Sequence, residues 1–519
     1  MRQSKLLPVL TVAGALALPI PALAQPAPAH ESIALQLNRA AVDGPTALLH
    51  ELGTVLAADP TLAADPDSAT RLARAAAAPV PDFVGANMPV YRSIAEKIAA
   101  AAPADRRHAV RNAVDAELDR LAATDPRANP VMPVWEQGMI APPAQTLSRG
   151  YRIGSFTLYP DISSGVFFDD NIYATRTDQK SDWIGAISPR LVLASNWQRN
   201  QLVAEAQGDF TGYNKFSREN TIDWHTSVEG RIDATRATQF LLGGQAMKEH
   251  EDRASPDAVD GLTPTIYHEY HGYAGAVHHF GSYTARFGTS IKSLTFQNVD
   301  STHGEINNHD RNRDRYEVGG LVRYDRHSIF RPYVQAYGVF HNYQHQYDEF
   351  GYQRDSEGVV AGAGALWRLT PSLAGDVFVG ADNRTYADAR FGSYTTPRVN
   401  AYLRWDPVRS TATILYFERS LQETTLPGSP GYTYNILGGR VEHALTRRLT
   451  GIARAAVARA SFVQSSRTDD EGDFSAGLRY ALTPTVTVGG DYRYTVRTST
   501  VSSVNFGRNQ VFFRIDKAF

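Results

Sequence analysis

The stretch Val511-Phe512-Phe513-Arg514-Ile515-Asp516-Lys517-Ala518-Phe519 decides the fold. Strand side chains alternate with period two, so Val511, Phe513, Ile515 and Phe519 share one face while Phe512, Arg514, Asp516 and Ala518 take the other. One face is oily and the other carries charge. A strand that ends the sequence leaves an edge of unpaired amides, and lipid offers those amides no water. The partner that satisfies them is the first strand of the same sheet, which closes a barrel.

This ending resembles the C-terminal signal of bacterial outer-membrane β-barrels, an apolar-alternating strand with terminal Phe. The resemblance implies an assembly signal on Phe513, Ile515 and Phe519 and a barrel-assembly machinery that reads it. Lys517 departs from the aromatic usual at that position.

At the other end Arg2 and Lys5 precede an apolar run, residues 6–20, and Ala22-Leu23-Ala24 precedes Gln25. A charged n-region, an apolar h-region and a small-residue site predict a signal peptide over residues 1–24, cut after Ala24. A membrane anchor is the competing reading, and Pro8 and Pro19 in so short a run count against it. The sequence has no Cys, so neither lipoprotein acylation nor a disulfide framework is available. A formal net charge of −2 and the lack of a basic tract exclude nucleic acid as the expected partner.

Residues 25–130 read as an Ala-rich helical module. Leu48, Leu52 and Leu56 fall on one stripe, as do Val110, Val114, Leu118 and Leu121. Stops at Asp59-Pro60, Asp65-Pro66, Ala78-Pro79, Ala102-Pro103 and Asp125-Pro126 divide it into about four or five short helices. Residues 48–79 and 94–126 look like degenerate copies of one helical hairpin, of tetratricopeptide size but without its large aromatics. A bland cap and a docking module both remain open. Residues 131–150, with Pro133, Pro142 and Pro143, read as a linker.

From Tyr151 to Phe519 the period is two. In residues 485–497, Val486, Val488, Tyr492, Tyr494 and Val496 oppose Asp491, Arg493 and Arg497. In residues 222–234, Ile222, Trp224, Val228 and Ile232 oppose Asp223, His225, Glu229, Arg231 and Asp233, and residues 315–325 repeat the pattern. Soluble sandwiches alternate too, so the breaks must arbitrate. Short breaks, such as Gly281-Ser282 and Thr483-Pro484, alternate with longer polar loops, such as 171–182, 250–265 and 300–313. This predicts an all-β transmembrane barrel of about 18 antiparallel strands, preceded by the small all-α module, with tight periplasmic turns and long external loops. Trp183, Trp197, Trp224, Trp405, Tyr492 and Tyr494 are expected near strand ends at the membrane interface, with outer-membrane lipid as their partner; strand propensity alone competes as an explanation.

At residues 158–191 the sequence resembles the outer-membrane porins associated with bacterial exopolysaccharide export loci. The motifs are Leu158-Tyr159-Pro160-Asp161, Phe168-Asp169-Asp170-Asn171-Ile172-Tyr173, Ser181-Asp182-Trp183 and Ser188-Pro189-Arg190-Leu191. The resemblance covers about residues 151–519. It implies an outer-membrane barrel of a Gram-negative bacterium near polysaccharide secretion genes, with the helical module in the periplasm beside export components.

Alternation places Arg190, Arg231, Arg286, Arg315, Arg323, Arg398, Arg404, Arg479, Arg493 and Arg497 on the inward face, with Glu229, Glu317, Asp491 and Tyr402. A barrel of about eighteen strands leaves an aqueous lumen unless loops fold into it. An arginine track could steer an acidic polysaccharide. Charges pairing along the wall and merely stiffening it are the competing account, and Tyr402 is either a sugar platform or structural. No catalytic grouping, metal grip or cofactor motif emerges. His268-Glu269-Tyr270-His271 spaces its histidines to opposite strand faces, and His341 and His345 share a face near the external rim. The expected function is thus an outer-membrane channel for exopolysaccharide export. A general or solute-selective porin, and a structural barrel with a blocked lumen, are the alternatives.

Overall fold

The structure is a computed structural model that describes residues 45–77, 88–107, 109–114 and 150–519, apart from 198–199, 236, 327–328, 371 and 409, together with Ile33, Leu37 and Leu118. The expected signal peptide, the linker up to residue 149 and the end of the helical module, Leu121 included, lie outside the described residues.

Helices α1 (Pro45–Ala58), α2 (Pro66–Ala77) and α3 (Met88–Ala101) are joined in part by a 3-10 turn, Pro60–Ala63. Leu48, Leu52 and Leu56 of α1 meet Leu72 and Ala76 of α2 and Ile94 and Ile98 of α3 in one core that also takes in Val110, Val114 and Leu118. α1 ends at Ala58, two residues before Pro60, and α3 at Ala101, two before Pro103, and two of the prolines also open the element that follows. Pro60 and Pro66 stand at first helical positions, where no amide donor is needed. Asp65 caps α2 by accepting from the amides of Ser68 and Asp67, both at 3.0 Å, and these bonds hold its carboxyl below the usual range.

The rest is one closed antiparallel barrel of eighteen staves. They are, in chain order, β1 to β18: Phe156–Asp169, Asp182–Ser195, Gln201–Tyr213, Thr221–Asp233, Thr238–His250, Ile266–Phe280, Tyr283–Phe296, Arg313–Tyr324, Phe330–Tyr343, Ser356–Thr370, Leu373–Tyr386, Ser393–Trp405, Thr411–Gln422, Tyr432–Ala444, Leu449–Phe462, Thr468–Thr483, Val486–Ser499 and Phe506–Ala518. Each pairs with its sequence neighbours, and β1 pairs with β18 from Asp161↔Ala518 to Asp169↔Gln510. Closure removes both sheet edges, so neither the first nor the last stave is left open to lipid. A short strand, Tyr151–Ile153, folds back on the start of β1, and a small hairpin, Val299–Ser301 with Gly304–Ile306, decorates one loop.

Staves run from 12 to 16 residues, longer than the roughly 9–11 that cross the hydrocarbon when tilted, so the barrel rises beyond it. Both ends of the barrel segment lie at the rim of short turns. At one such turn Gly281 adopts φ 58°, the left-handed conformation that a two-residue hairpin needs. At the seam Gly165 faces Arg514, where a Cβ would collide with the carbonyl oxygen of Phe513.

The outer wall is apolar. Val166, Ile187, Phe210, Phe287, Val334, Val379, Leu437 and Val457 are exposed there, as are Phe513, Ile515 and Phe519, while Phe512, Asp516 and Ala518 are buried on the other face. Among the outward charges, Arg459 pairs with Asp470 toward the long-loop rim, and Lys517 sits at the short-turn rim. Trp183, Trp197 and Trp405 are exposed at stave ends, with Trp197 packed edge-on against Phe156; Trp224 and Tyr494 are half-buried on the outward face. Tyr492 corrects its expected place. It lies midway along a stave of 14 residues rather than near its end, and its hydroxyl reaches toward the long-loop rim to donate to Asn509 at 2.6 Å.

Candidate pore

The alternation that exposes Phe210 or Val334 to the outside sends their neighbours inward, where many of the arginines meet a carboxylate. Between adjacent staves Arg190 pairs with Glu205 at 2.8 Å and Arg398 with Glu418 at 3.3 Å. Arg479 reaches Asp491, Arg493 reaches Asp473 and Arg497 reaches Glu471, each at 2.6 Å. Along one stave Arg315 pairs with Glu317. Arg286 and Tyr402 share this inner wall, Glu229 faces it from β4, and the Tyr402 hydroxyl is buried.

Five pairs repeat a pattern at the short-turn rim. Arg231-Ile232-Asp233, Arg323-Tyr324-Asp325, Arg404-Trp405-Asp406, Arg440-Val441-Glu442 and Arg514-Ile515-Asp516 each place a guanidinium and a carboxylate inside with an apolar residue outside. They end or closely follow the even-numbered staves β4, β8, β12, β14 and β18. The spacing Arg-x-acid with an oily middle residue was the sequence signal for this collar. Neighbours two apart on a strand share a face, so the pair forms without any other stave.

Charge is unevenly spread around the wall. Among the described residues of β3 to β6, the inward face carries Glu205, Asp209, Asp223, Glu229, Asp233, Glu249 and Glu269 with a single arginine, Arg231. The staves across the barrel, β12 to β15, present Arg398, Arg404, Arg440 and Arg454 with Glu418 and Glu442. A polar solute passing between them experiences a field directed across its path.

The main feature that alternation could not supply is the course of residues 251–265, which join β5 to β6. Asp257 accepts from the Thr424 hydroxyl at 2.8 Å and from the Thr425 amide and hydroxyl at 3.3 and 3.2 Å. Thr424 and Thr425 lie between β13 and β14, and in a ring of eighteen staves the one opposite β5 is β14. The segment therefore crosses the mouth. Along the way the Ala254 carbonyl accepts from Arg497, the Pro256 carbonyl from Arg467 at 3.2 Å, and Asp252 from Arg508 at 3.4 Å. Arg497 and Arg508 are inward residues two positions inside their staves' long-loop ends, so the crossing is seated just within the rim. Arg311 pairs with Glu251 and Arg253 with Glu219, both at 2.7 Å, and the Leu262 amide bonds the Asp300 carbonyl at 2.7 Å. Burial would raise the Asp252 carboxyl, but Arg508 and the Ala254 amide hold it below its ordinary range. The run Glu251-Asp252-Arg253 was the available signal, because charges of both signs in a long loop can find partners on a barrel wall.

A second knot lies beside the far anchor. Arg354 donates to the carbonyls of Thr424, Ser429 and Leu426 at 2.8, 3.0 and 3.2 Å and pairs with Asp348 at 2.7 Å. Glu423 bonds Arg384, accepts from the Tyr343 hydroxyl at 3.0 Å and lies 3.9 Å from His341. His341 and His345 accordingly do not share a strand face: His341 is buried against Ser356 and Glu423, whereas β9 ends at Tyr343 and His345 is exposed beyond it.

The motif Asp169-Asp170-Asn171 near the start of the barrel works at the seam. Asp169 accepts from Gln510 at 2.7 Å, and Asp170 accepts from the Asn509 amide and side chain. Asn171 donates to the carbonyls of Thr175 and Gly507, while Asp182 accepts from the amides of Lys215 and Phe216.

The sequence model of the family described as "Putative beta-barrel porin 2" matches residues 145–518. Among solved structures, OccAB3 of Acinetobacter baumannii is 11% identical at a TM-score of 0.40, with 71% of this chain and 100% of that chain covered. For OpdK of Pseudomonas aeruginosa the figures are 11%, 0.39, 70% and 99%, and for OpdO of Pseudomonas aeruginosa 11%, 0.40, 71% and 98%. No curated protein matches the chain. With its sequence matched over the whole barrel, this chain belongs to the beta-barrel porin 2 family and forms a porin-like channel of the outer membrane.

Proposed function

We propose that the protein is a solute-selective outer-membrane channel whose passage is set by residues 251–265. The crossing just inside the long-loop rim carries this reading: it is tied to the wall on opposite sides, through Glu251 and Arg311 near its root and through Asp257, Thr424 and Thr425 at its tip. A crossing of that kind subdivides an eighteen-stave lumen, and the acid-rich β3–β6 arc biases what passes beneath it. In this reading the long loops face outward, the helical module lies in the periplasm, and the strand ending in Phe513, Ile515 and Phe519 is recognised during assembly. Protein reconstituted in planar bilayers should give discrete conductance steps, larger when residues 253–263 are replaced by a short Gly-Ser link. Equal conductance with and without the crossing would sink the reading.

Export of exopolysaccharide through the same lumen is the second reading. It is favoured by the motif of Asp169 to Asn171 and Ser181 to Trp183, through which the sequence resembles porins of polysaccharide export loci. A polymer requires the crossing to swing aside, so its passage depends on breaking the Asp257 and Asp252 contacts. Loss of the gene should then lower secreted polymer; unchanged secretion with impaired solute uptake would leave only the first reading.

A further inference from the structure

We infer that a pocket in the inner wall, on the β8 to β13 side, is a subsite for one neutral sugar ring, an inference that rests on the channel reading and names its solute. The cavity measures about 210 Å³. At about 30 Å³ for each water it holds roughly seven, the space of a single pyranose. Three guanidiniums line it, Arg315, Arg384 and Arg398, and so do three carboxylates, Asp382, Glu418 and Glu423.

The charges are balanced, which decides the ligand's chemistry. Arg384 is committed to Glu423, with Asp382 at 3.9 Å, and Arg398 reaches Glu418 at 3.3 Å. A free anion entering here would meet three carboxylates, and a free cation three arginines. A sugar hydroxyl suits both at once, since it donates to a carboxylate and accepts from a guanidinium. Acceptors are wanted: the Nε atoms of Arg315 and Arg398 are buried and, among the described residues, have no hydrogen-bond partner. Leaving such donors unsatisfied is costly, and a ligand oxygen relieves it. Tyr337 adds a ring to the same lining, offering a face on which the C–H side of a pyranose can lie.

The full-length protein in detergent, titrated calorimetrically with D-glucose, D-galactose and D-mannose, tests the subsite. At least one of these sugars should bind, and in planar bilayers the same sugar should add noise to the open-channel current. Arg398→Met and Glu418→Gln should each weaken binding at least tenfold, whereas the outward Arg459→Met should leave it unchanged. Heat-modifiable gel mobility checks that each variant is a folded barrel, and the wild-type titration stands whether or not they fold. The subsite is overturned if no neutral sugar binds more tightly than about 10 mM, or if D-glucuronate outcompetes all three. Conductance without sugar binding sinks the subsite and leaves the channel; sugar binding by a barrel that never conducts leaves the subsite and sinks the channel.

Discussion

Asp170 accepts two hydrogen bonds from Asn509, one from its backbone amide and one from its side-chain nitrogen, each at 2.7 Å, and so joins the end of the first stave to the beginning of the last. Residues separated by the whole length of the barrel meet there. Together with Asp169 and Gln510 the pair fixes the register at which the cylinder closes. Register matters because a slip of one residue would turn Phe513 inward and Arg514 toward lipid.

Asp170→Ala should therefore loosen the seam. Two charge-assisted bonds are lost and the Asn509 donors are left without their acceptor, a cost of about 1–3 kcal/mol. The temperature at which the folded, compact gel band converts to the unfolded one should fall, with Asp170→Asn intermediate. An unchanged conversion temperature for Asp170→Ala would show that the ladder alone fixes closure.

The crossing makes a separate prediction, because its far end depends on one carboxylate. Asp257→Ala removes three bonds worth about 1 kcal/mol each, so the detached population of residues 251–265 should rise at least about tenfold. Limited proteolysis of the reconstituted protein should then cut within 251–265 faster than in wild type, and open-channel noise should grow. Cleavage at the wild-type rate would mean that Arg497, Arg467 and Arg508 hold the segment without help.

The barrel was legible because its signal is local. A period of two needs only neighbours in sequence, and it assigned Phe513 and Asp516 to opposite walls without knowledge of any other stave. The count of eighteen followed from breaks at residues such as Gly281 and Pro484. Contacts between distant residues had no such signal. Asp257 finds Thr424 only because closure sets β14 opposite β5, and nothing near Asp257 in sequence records that. His341 misled for a related reason: four-residue spacing predicts a shared face only while the strand continues, and β9 stops at Tyr343. The Arg-x-acid collar was readable but shows itself only when several stave ends are compared.

The acid-rich arc predicts ion preference. Glu205 and Glu229 face the lumen from β3 and β4, and β3 to β6 supply only Arg231 as an inward arginine. Neutralising both, Glu205→Gln with Glu229→Gln, should shift the zero-current potential in a potassium chloride gradient toward anion preference, more so at low salt, because the field is screened over about 10 Å at 0.1 M. An unchanged potential would show that ions pass along the arginine-bearing wall instead.

Acid should undo the knot beside the crossing's far anchor. Burial pushes the Glu423 carboxyl up, but His341, Arg384 and Arg313, with the Tyr343 hydroxyl, outweigh it and hold it at about 2, below its ordinary 4.5. A carboxyl depressed in the folded state contributes stability that is complete above its unfolded value and is lost as pH falls toward the folded one. Protection of residues 423–431, followed by hydrogen exchange, should hold at pH 7 and decline between about 4.5 and 2. Glu423→Gln cannot ionise, so its protection should be low already at pH 7 and lack this decline. If both proteins lose protection along the same pH profile, the Arg354 contacts to Thr424, Leu426 and Ser429 carry that loop and Glu423 does not.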